Sequence, residues 1–127
     1  MLPRLAAARR RLTDVMQDKV GVLRNAPDLR SALEELSALT SELSFARLGE
    51  SEYEVLNMLT LGTQIAKCAL LREESRGVHL REDFPEVDDE KWRTHITLRL
   101  PEHERSEGMG KVTPAGEPAV PAPGDEA

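Results

Sequence analysis

Cysteine is almost absent: Cys68 is the one thiol among 127 residues. No disulfide can close within the chain, and no thiolate metal site can be assembled from it. Cys68 sits in an apolar helical stretch and reads as a small buried hydrophobe. A reducing compartment suits such a chain. A long apolar run is missing as well. The richest segment, Val55 to Leu71, is interrupted by Asn57, Gln64 and Lys67, which makes it too polar and too short for a membrane span. The N-terminus places Arg4, Arg9, Arg10 and Arg11 where a secretory signal needs an apolar stretch. The expectation is a cytoplasmic protein with no direct membrane insertion.

An excess of positive charge is also lacking. The net charge is −6, and residues 101–127 hold six acidic and two basic groups, so the first hundred residues sum to about −2. A near-neutral body has no concentrated positive field with which to hold nucleic acid, so no nucleic-acid partner is expected. Arg9, Arg10 and Arg11 read as a solvated helix face. Catalytic motifs are absent too. There is no Gly-x-Gly-x-x-Gly after a strand, no phosphate-binding loop and no His-Glu-x-x-His. Gly108-Met109-Gly110-Lys111 lies in a polar tail with no helix behind it. His79, His95 and His103 lack the paired spacing of a metal site. No catalytic, cofactor-binding or metal-binding residue is assigned.

What is present begins with three helical patterns. The first runs from about Arg4 to Lys19, with Pro3 at its start, where a missing N–H costs nothing. Leu5, Ala8, Leu12, Val15 and Met16 mark one face. Gly21 stops it, and residues 20–23 form a short extended link. The second pattern opens with Asn25 as cap and Asp28 as its reciprocal partner. Leu29, Ala32, Leu33, Leu36, Leu39 and Leu43 then form one stripe, with Arg30, Glu34, Glu35 and Glu42 off it. Gly49 closes that segment. The third pattern runs from Ser51, paired with Glu54 as a capping box, to Glu74. It is apolar on more than one face, as a central helix is. Gly62 within it suits close approach by another backbone. The fold class expected is all-α: a three-helix antiparallel bundle with a short extended C-terminal strip.

The strip is the densest feature of the chain. Residues 73–85 carry six charged side chains, a His, a Gly and a Pro in thirteen positions. Gly77 stands where a left-handed cap residue is expected. Phe84-Pro85 implies extended backbone before the proline. Arg76 either holds the turn, through helix-end carbonyls or Asp83, or meets a carboxylate or phosphate directly. His79 is either a hydrogen-bonded structural residue or a group facing a site on another domain, with Arg76, Arg81 and Asp83 near enough to fix its tautomer. Asp88, Asp89 and Glu90 gather before Trp92 as acids do at a helix start. Trp92, the lone indole, reads as a core or interface anchor. Residues 95–100 alternate with period two and read as a strand with no partner strand in this chain. Residues 101–127, with five Pro and four Gly, read as a disordered tail. The division expected is a helical domain over 1–100 and that tail.

The run from Arg72 through Glu74-Ser75-Arg76-Gly77-Val78-His79-Leu80-Arg81-Glu82-Asp83-Phe84-Pro85, followed by Asp88-Asp89 and Trp92-Arg93-Thr94-His95, resembles the C-terminal region of the succinate dehydrogenase, fumarate reductase and L-aspartate oxidase flavoproteins. Met16-Gln17 and residues 20–24 are similar to that family's first C-terminal helix and the link after it. The resemblance covers about residues 4–100 and leans toward L-aspartate oxidase, which oxidises L-aspartate to iminoaspartate with FAD on the route to NAD. It implies a helical domain that packs against a flavin-binding and capping body, in cis or as a separate chain. That body, with its FAD and its catalytic Arg and His, has no counterpart in these residues. Glu74, Ser75, Arg76, Gly77, His79, Arg81, Asp83 and Trp92 would shape the turn and the contact. The chain alone would bind no cofactor. Two other readings stay open: a free-standing, non-enzymatic interaction module, and an unrelated bundle with a coincidental motif.

Overall fold

The computed structural model of the chain describes residues 3–43 and 49–99. Four helices and two short strands follow one another: α1 (Pro3–Lys19), β1 (Leu23–Arg24), α2 (Ala26–Leu43), α3 (Glu50–Leu71), β2 (Leu80–Arg81) and α4 (Asp89–Trp92). The expected tail lies outside the described residues.

The first three helices make the bundle. Leu5, Ala8, Leu12 and Val15 of α1 are buried, and Leu29, Ala32, Leu36, Leu39 and Leu43 of α2 meet them from the facing stripe. Direction follows from the tethers between helices. Arg4, early in α1, donates to the Glu42 carbonyl late in α2, while Lys19, at the end of α1, donates to Ser31 and Glu35 early in α2. These two helices are therefore antiparallel. Arg9 pairs with Glu54 near the start of α3, so α3 runs alongside α1 and against α2.

Several local readings are corrected. The helix expected to be central is α3, yet its Leu61 and Ile65 stand 63% and 40% exposed, and α2 packs against both neighbours. Gly62 admits the side chains of Met16 and Leu12, not another backbone: a Cβ there would lie 3.2 Å from the Met16 sulfur. Gly49 does not close α2. It opens α3, with its N–H donating to Glu52 at 3.0 Å, so the cap expected at Ser51 and Glu54 falls two residues earlier. The Asn25 cap forms, with Asp28 N–H donating to Asn25 Oδ1 at 2.9 Å. The reciprocal bond comes from the Asn25 side-chain amide rather than its backbone.

Beyond α3 the chain folds back over the end of the bundle. β1 and β2 pair in parallel, Leu23 beside Leu80 and Arg24 beside Arg81. The link after α1 thus finds its strand partner in the charged strip, a pairing the sequence reading did not make. A tight turn joins Arg76 and His79 through two backbone hydrogen bonds of 2.8 and 3.0 Å. Gly77 sits in it at φ +58°, the left-handed conformation expected. α4 is capped by Asp88, whose Oδ1 accepts from the Lys91 N–H. No strand forms over 95–99. Thr97 makes one isolated bridge there, and the two-stranded sheet among the described residues is that of β1 and β2.

A Cβ at Gly77 meets nothing within 4 Å, so substitution there tests backbone strain alone. Gly77→Val is expected to cost about 1–2 kcal/mol, as left-handed backbone does for a branched side chain. Gly77→Asn should cost less than half as much, because Asn tolerates that region. Urea unfolding of the two variants checks both values.

Candidate functional site

The strip is organised around Arg81, which is 2% exposed. α3 ends in carbonyls that lack amide partners, and Arg81 Nη1 donates to those of Ala69 and Leu70 at 2.9 and 3.0 Å. Its Nε and Nη2 meet both oxygens of Asp83 at 2.8 Å each. Asp83 in turn accepts the N–H of Ala26, the first residue of α2, at 3.0 Å. A cation closes the negative end of one helix and an anion the positive end of the next, each as the helix dipole favours. This is why α3 stops at Leu71 and not at Glu74: its last carbonyls are taken by a side chain ten residues on. The turn-holding role considered for Arg76 belongs to Arg81.

A second charged group lies beside it. Glu74 is fully buried. It accepts from Arg72 at 2.6 Å, from Arg76 at 3.1 Å and from the Asp88 N–H at 3.1 Å. Burial alone would raise its pKa; the bonds from Arg76, Asp88 and Arg72 outweigh that and hold it below the ordinary value. Arg76 also pairs with Asp89, and its bonds to Glu74 and Asp89 raise its pKa. Arg72 continues to the carbonyls of Trp92 and Thr94, at 2.7 and 2.6 Å. Its guanidinium stacks 5.3 Å from the Trp92 ring. Trp92 is 2% exposed yet stands apart from the helix core, and its indole N–H has no partner among the described residues. Ser75 stitches the turn: its hydroxyl accepts the Arg81 N–H at 2.9 Å and donates to the Phe84 carbonyl at 2.8 Å.

His79 is held by both ring nitrogens. Arginine has only donors, so Arg24 donates to Nδ1 at 2.9 Å and Nε2 donates to the Arg72 carbonyl at 2.9 Å. One neutral tautomer results. Burial lowers its pKa most; the bond to Arg72 opposes this, and the charges of Arg24, Arg81 and Arg72 lower it further. The partner that fixes the ring from the side is Arg24, which the sequence reading did not single out for this role. A groove of about 390 Å³ opens between α3 and the strip, lined by Arg24, Ile65, Cys68, Arg72, His79 and Ile96 among others. Cys68 is only half-buried, not the core residue expected, and burial raises its pKa against the opposing charge of Arg72. That favours the unreactive thiol. Among the described residues, no group of three His, Cys, Asp or Glu could hold a metal ion.

Asp83 carries a pH signature. The bonds from Arg81 lead in lowering its pKa from 3.8 to about 2, against a smaller opposing effect of burial. The folded-state value lies below the unfolded one, so the contribution is complete above about pH 5 and is lost as pH falls through about 2. The side chain is 30% exposed, and after solvent screening the contribution amounts to about 1–2 kcal/mol. Asp83→Asn should lose that amount at neutral pH and approach the parent chain in stability near pH 2. Urea midpoints at both pH values measure the difference.

Of the eight residues singled out from the sequence, Glu74, Ser75, Arg81 and Trp92 are buried within the chain. Arg76 and His79 are half-buried, and Gly77 and Asp83 are exposed. Among the exposed side chains of the strip and of the link that pairs with it are four apolar ones, Val22, Leu23, Val78 and Leu80, beside the exposed Glu73 and Glu82.

Fold and clasp together define an all-α domain whose open end is closed by arginine–carboxylate pairs. The model of the family described as fumarate reductase flavoprotein C-term matches residues 9–114, and the chain belongs to that family, as a C-terminal domain of the succinate dehydrogenase, fumarate reductase and L-aspartate oxidase flavoproteins. It is 37% identical over 107 residues to a fumarate reductase flavoprotein subunit of Helicobacter pylori, covering 76% of this chain and 15% of that protein. It is 35% identical over 101 residues to an L-aspartate oxidase of Streptomyces coelicolor, covering 73% and 17%. Among solved structures it is similar to Mycobacterium smegmatis Sdh1 in complex with UQ1, with a TM-score of 0.71, 29% identity, and coverage of 93% of this chain and 20% of that one. The chain thus spans 15–17% of the length of these curated relatives. No described helix is long and apolar enough to cross a membrane.

Proposed function

We propose that this chain is the helical buttress of an FAD-dependent oxidoreductase, packing on a flavin-binding body and not catalytic by itself. The observation that carries the reading is the coverage: similarity spans most of this chain and only 15–17% of the flavoproteins it matches. The remaining length of those proteins is where a flavin site would lie. The geometry agrees, because Arg72, Glu74, Arg76, Arg81 and Asp83 bond to one another and to helix ends. Groups so engaged hold the strip in shape.

L-aspartate oxidase, converting L-aspartate to iminoaspartate on the route to NAD, is the parent activity toward which the strip's sequence leans, and the 35% identity to the Streptomyces coelicolor enzyme supports it. A fumarate reductase or succinate dehydrogenase flavoprotein is the second reading, favoured by the 37% identity to the Helicobacter pylori subunit. Either parent would work in the cytoplasm or at its membrane face, with FAD held outside this chain.

A graft tests the reading. The matched segment of the Helicobacter pylori subunit is deleted, or replaced by this chain, and the rate of FAD release is followed by the fluorescence of the freed flavin. The deletion should release flavin faster than the intact subunit, and the graft should restore retention. Purified chain should stay colourless with FAD. A graft no better than the deletion, or a chain that turns yellow alone, overturns the proposal.

A further inference from the structure

The two strands of the strip are inside out. In a surface sheet, alternating side chains normally put the apolar face inward and the charged face toward water. Here Leu23 and Leu80 are paired in register and stand 59% and 37% exposed, while Arg81, the next residue, is 2% exposed. Val22 and Val78, beside them in sequence, are exposed as well, at 73% and 91%. Val78 follows the left-handed Gly77 at the tip of the turn. Beneath the paired leucines the strip is thus polar, and the side turned to solvent carries Leu and Val, bordered by the exposed Glu82.

That arrangement is held stiffly. Arg81 and Ser75 fix β2 from beneath, and the Glu82 N–H donates to the Arg24 carbonyl at 2.7 Å to lock the strands together. A rigid apolar patch loses little entropy when it is covered. Such apolar groups suit the centre of a contact, and the exposed Glu82 beside them its polar rim.

We infer that Val22, Leu23, Val78 and Leu80 form the face that seats against the flavin-binding body. This rests on the function proposed above and names the surface that carries it. The occupant follows from coverage. The residues matched by the family, 9–114, include the whole strip, and the flavoproteins that share it hold more than four-fifths of their length elsewhere. The complementary surface should be apolar at its centre. The face differs from the set of charged residues that the sequence marked, which bond inward.

The same graft decides it. Leu23→Ser with Leu80→Ser should speed flavin release by about tenfold or more, the scale of losing central apolar contacts, with the isolated chain melting where the parent chain does. Val78→Ser, at the turn tip, should shift release in the same direction by less and cannot disturb the bundle. Tyr53→Ser, about as exposed as Leu23 but at the start of α3, should change nothing. If the isolated double variant melts early, Val78→Ser decides. Release from the substituted grafts at the parent graft's rate assigns the contact elsewhere and overturns the inference. An isolated chain that dimerises, and becomes monomeric on the same substitutions, gives the face to a second copy and overturns it too. A parent graft that fails to retain flavin removes the proposed function, and this inference with it.

Discussion

Arg81→Ala lowers the unfolding free energy of the chain by about 3–5 kcal/mol, the usual result of removing one partner from a buried ion pair. The change leaves Asp83 without its cation and frees the carbonyls of Ala69 and Leu70 at the end of α3. Set against a typical domain stability of about 5–15 kcal/mol, it takes a large share of the total. Arg81→Lys should recover little. A single ammonium cannot reach two carbonyls and both oxygens of Asp83 together, and it lacks the planar fork that makes the two 2.8 Å bonds. Urea unfolding followed by circular dichroism measures both variants. A loss under 1 kcal/mol for Arg81→Ala would show that the helix ends do not depend on this residue.

Glu74→Ala is expected to cost about 3 kcal/mol or more, for a related reason with a local signature. Arg72 and Arg76 both lean on the Glu74 carboxylate, and the Asp88 N–H is bound to it as well. Without it Arg72 loses the carboxylate it leans on, and Arg76 is left with Asp89 alone. Arg72 also holds the carbonyls of Trp92 and Thr94, so α4 should loosen before the bundle does. Trp92 is the only tryptophan in the chain, which makes its fluorescence a direct reporter. Its emission should move to longer wavelength in Glu74→Ala while helix content is retained. Unchanged emission would mean that Trp92 is held by something other than the Arg72–Glu74 pair.

The helices were legible because their signals are local. Asn25 and Asp28 mark a start, and Leu29, Ala32, Leu36, Leu39 and Leu43 repeat on one face, so α2 could be read from adjacent residues. Gly77 was legible for the same reason, since only its own backbone is at issue. The end of α3 was not. Its helical pattern runs on toward Glu74, and the residue that stops it, Arg81, lies ten positions later and acts through space. The roles of the arginines were likewise hidden. Arg76 and Arg81 have the same chemistry and similar neighbours, and only the fold shows which one lies under the strip. The outward face was hardest of all. Leu23 and Leu80 sit 57 positions apart, and nothing local shows that an apolar residue in a charged strip points to water.

Where the guanidinium groups lie also governs how the chain meets trypsin-like proteases. A stretch holding Arg72, Arg76 and Arg81 offers three cleavage positions within ten residues. A protease needs the arginine side chain drawn out into its own specificity pocket and the backbone extended on either side. Arg81 is bound beneath the strip, Arg72 is tied to the segment that carries Trp92, and the chain between them is closed into a turn. Digestion at these positions therefore clocks the opening of the clasp rather than the abundance of arginine.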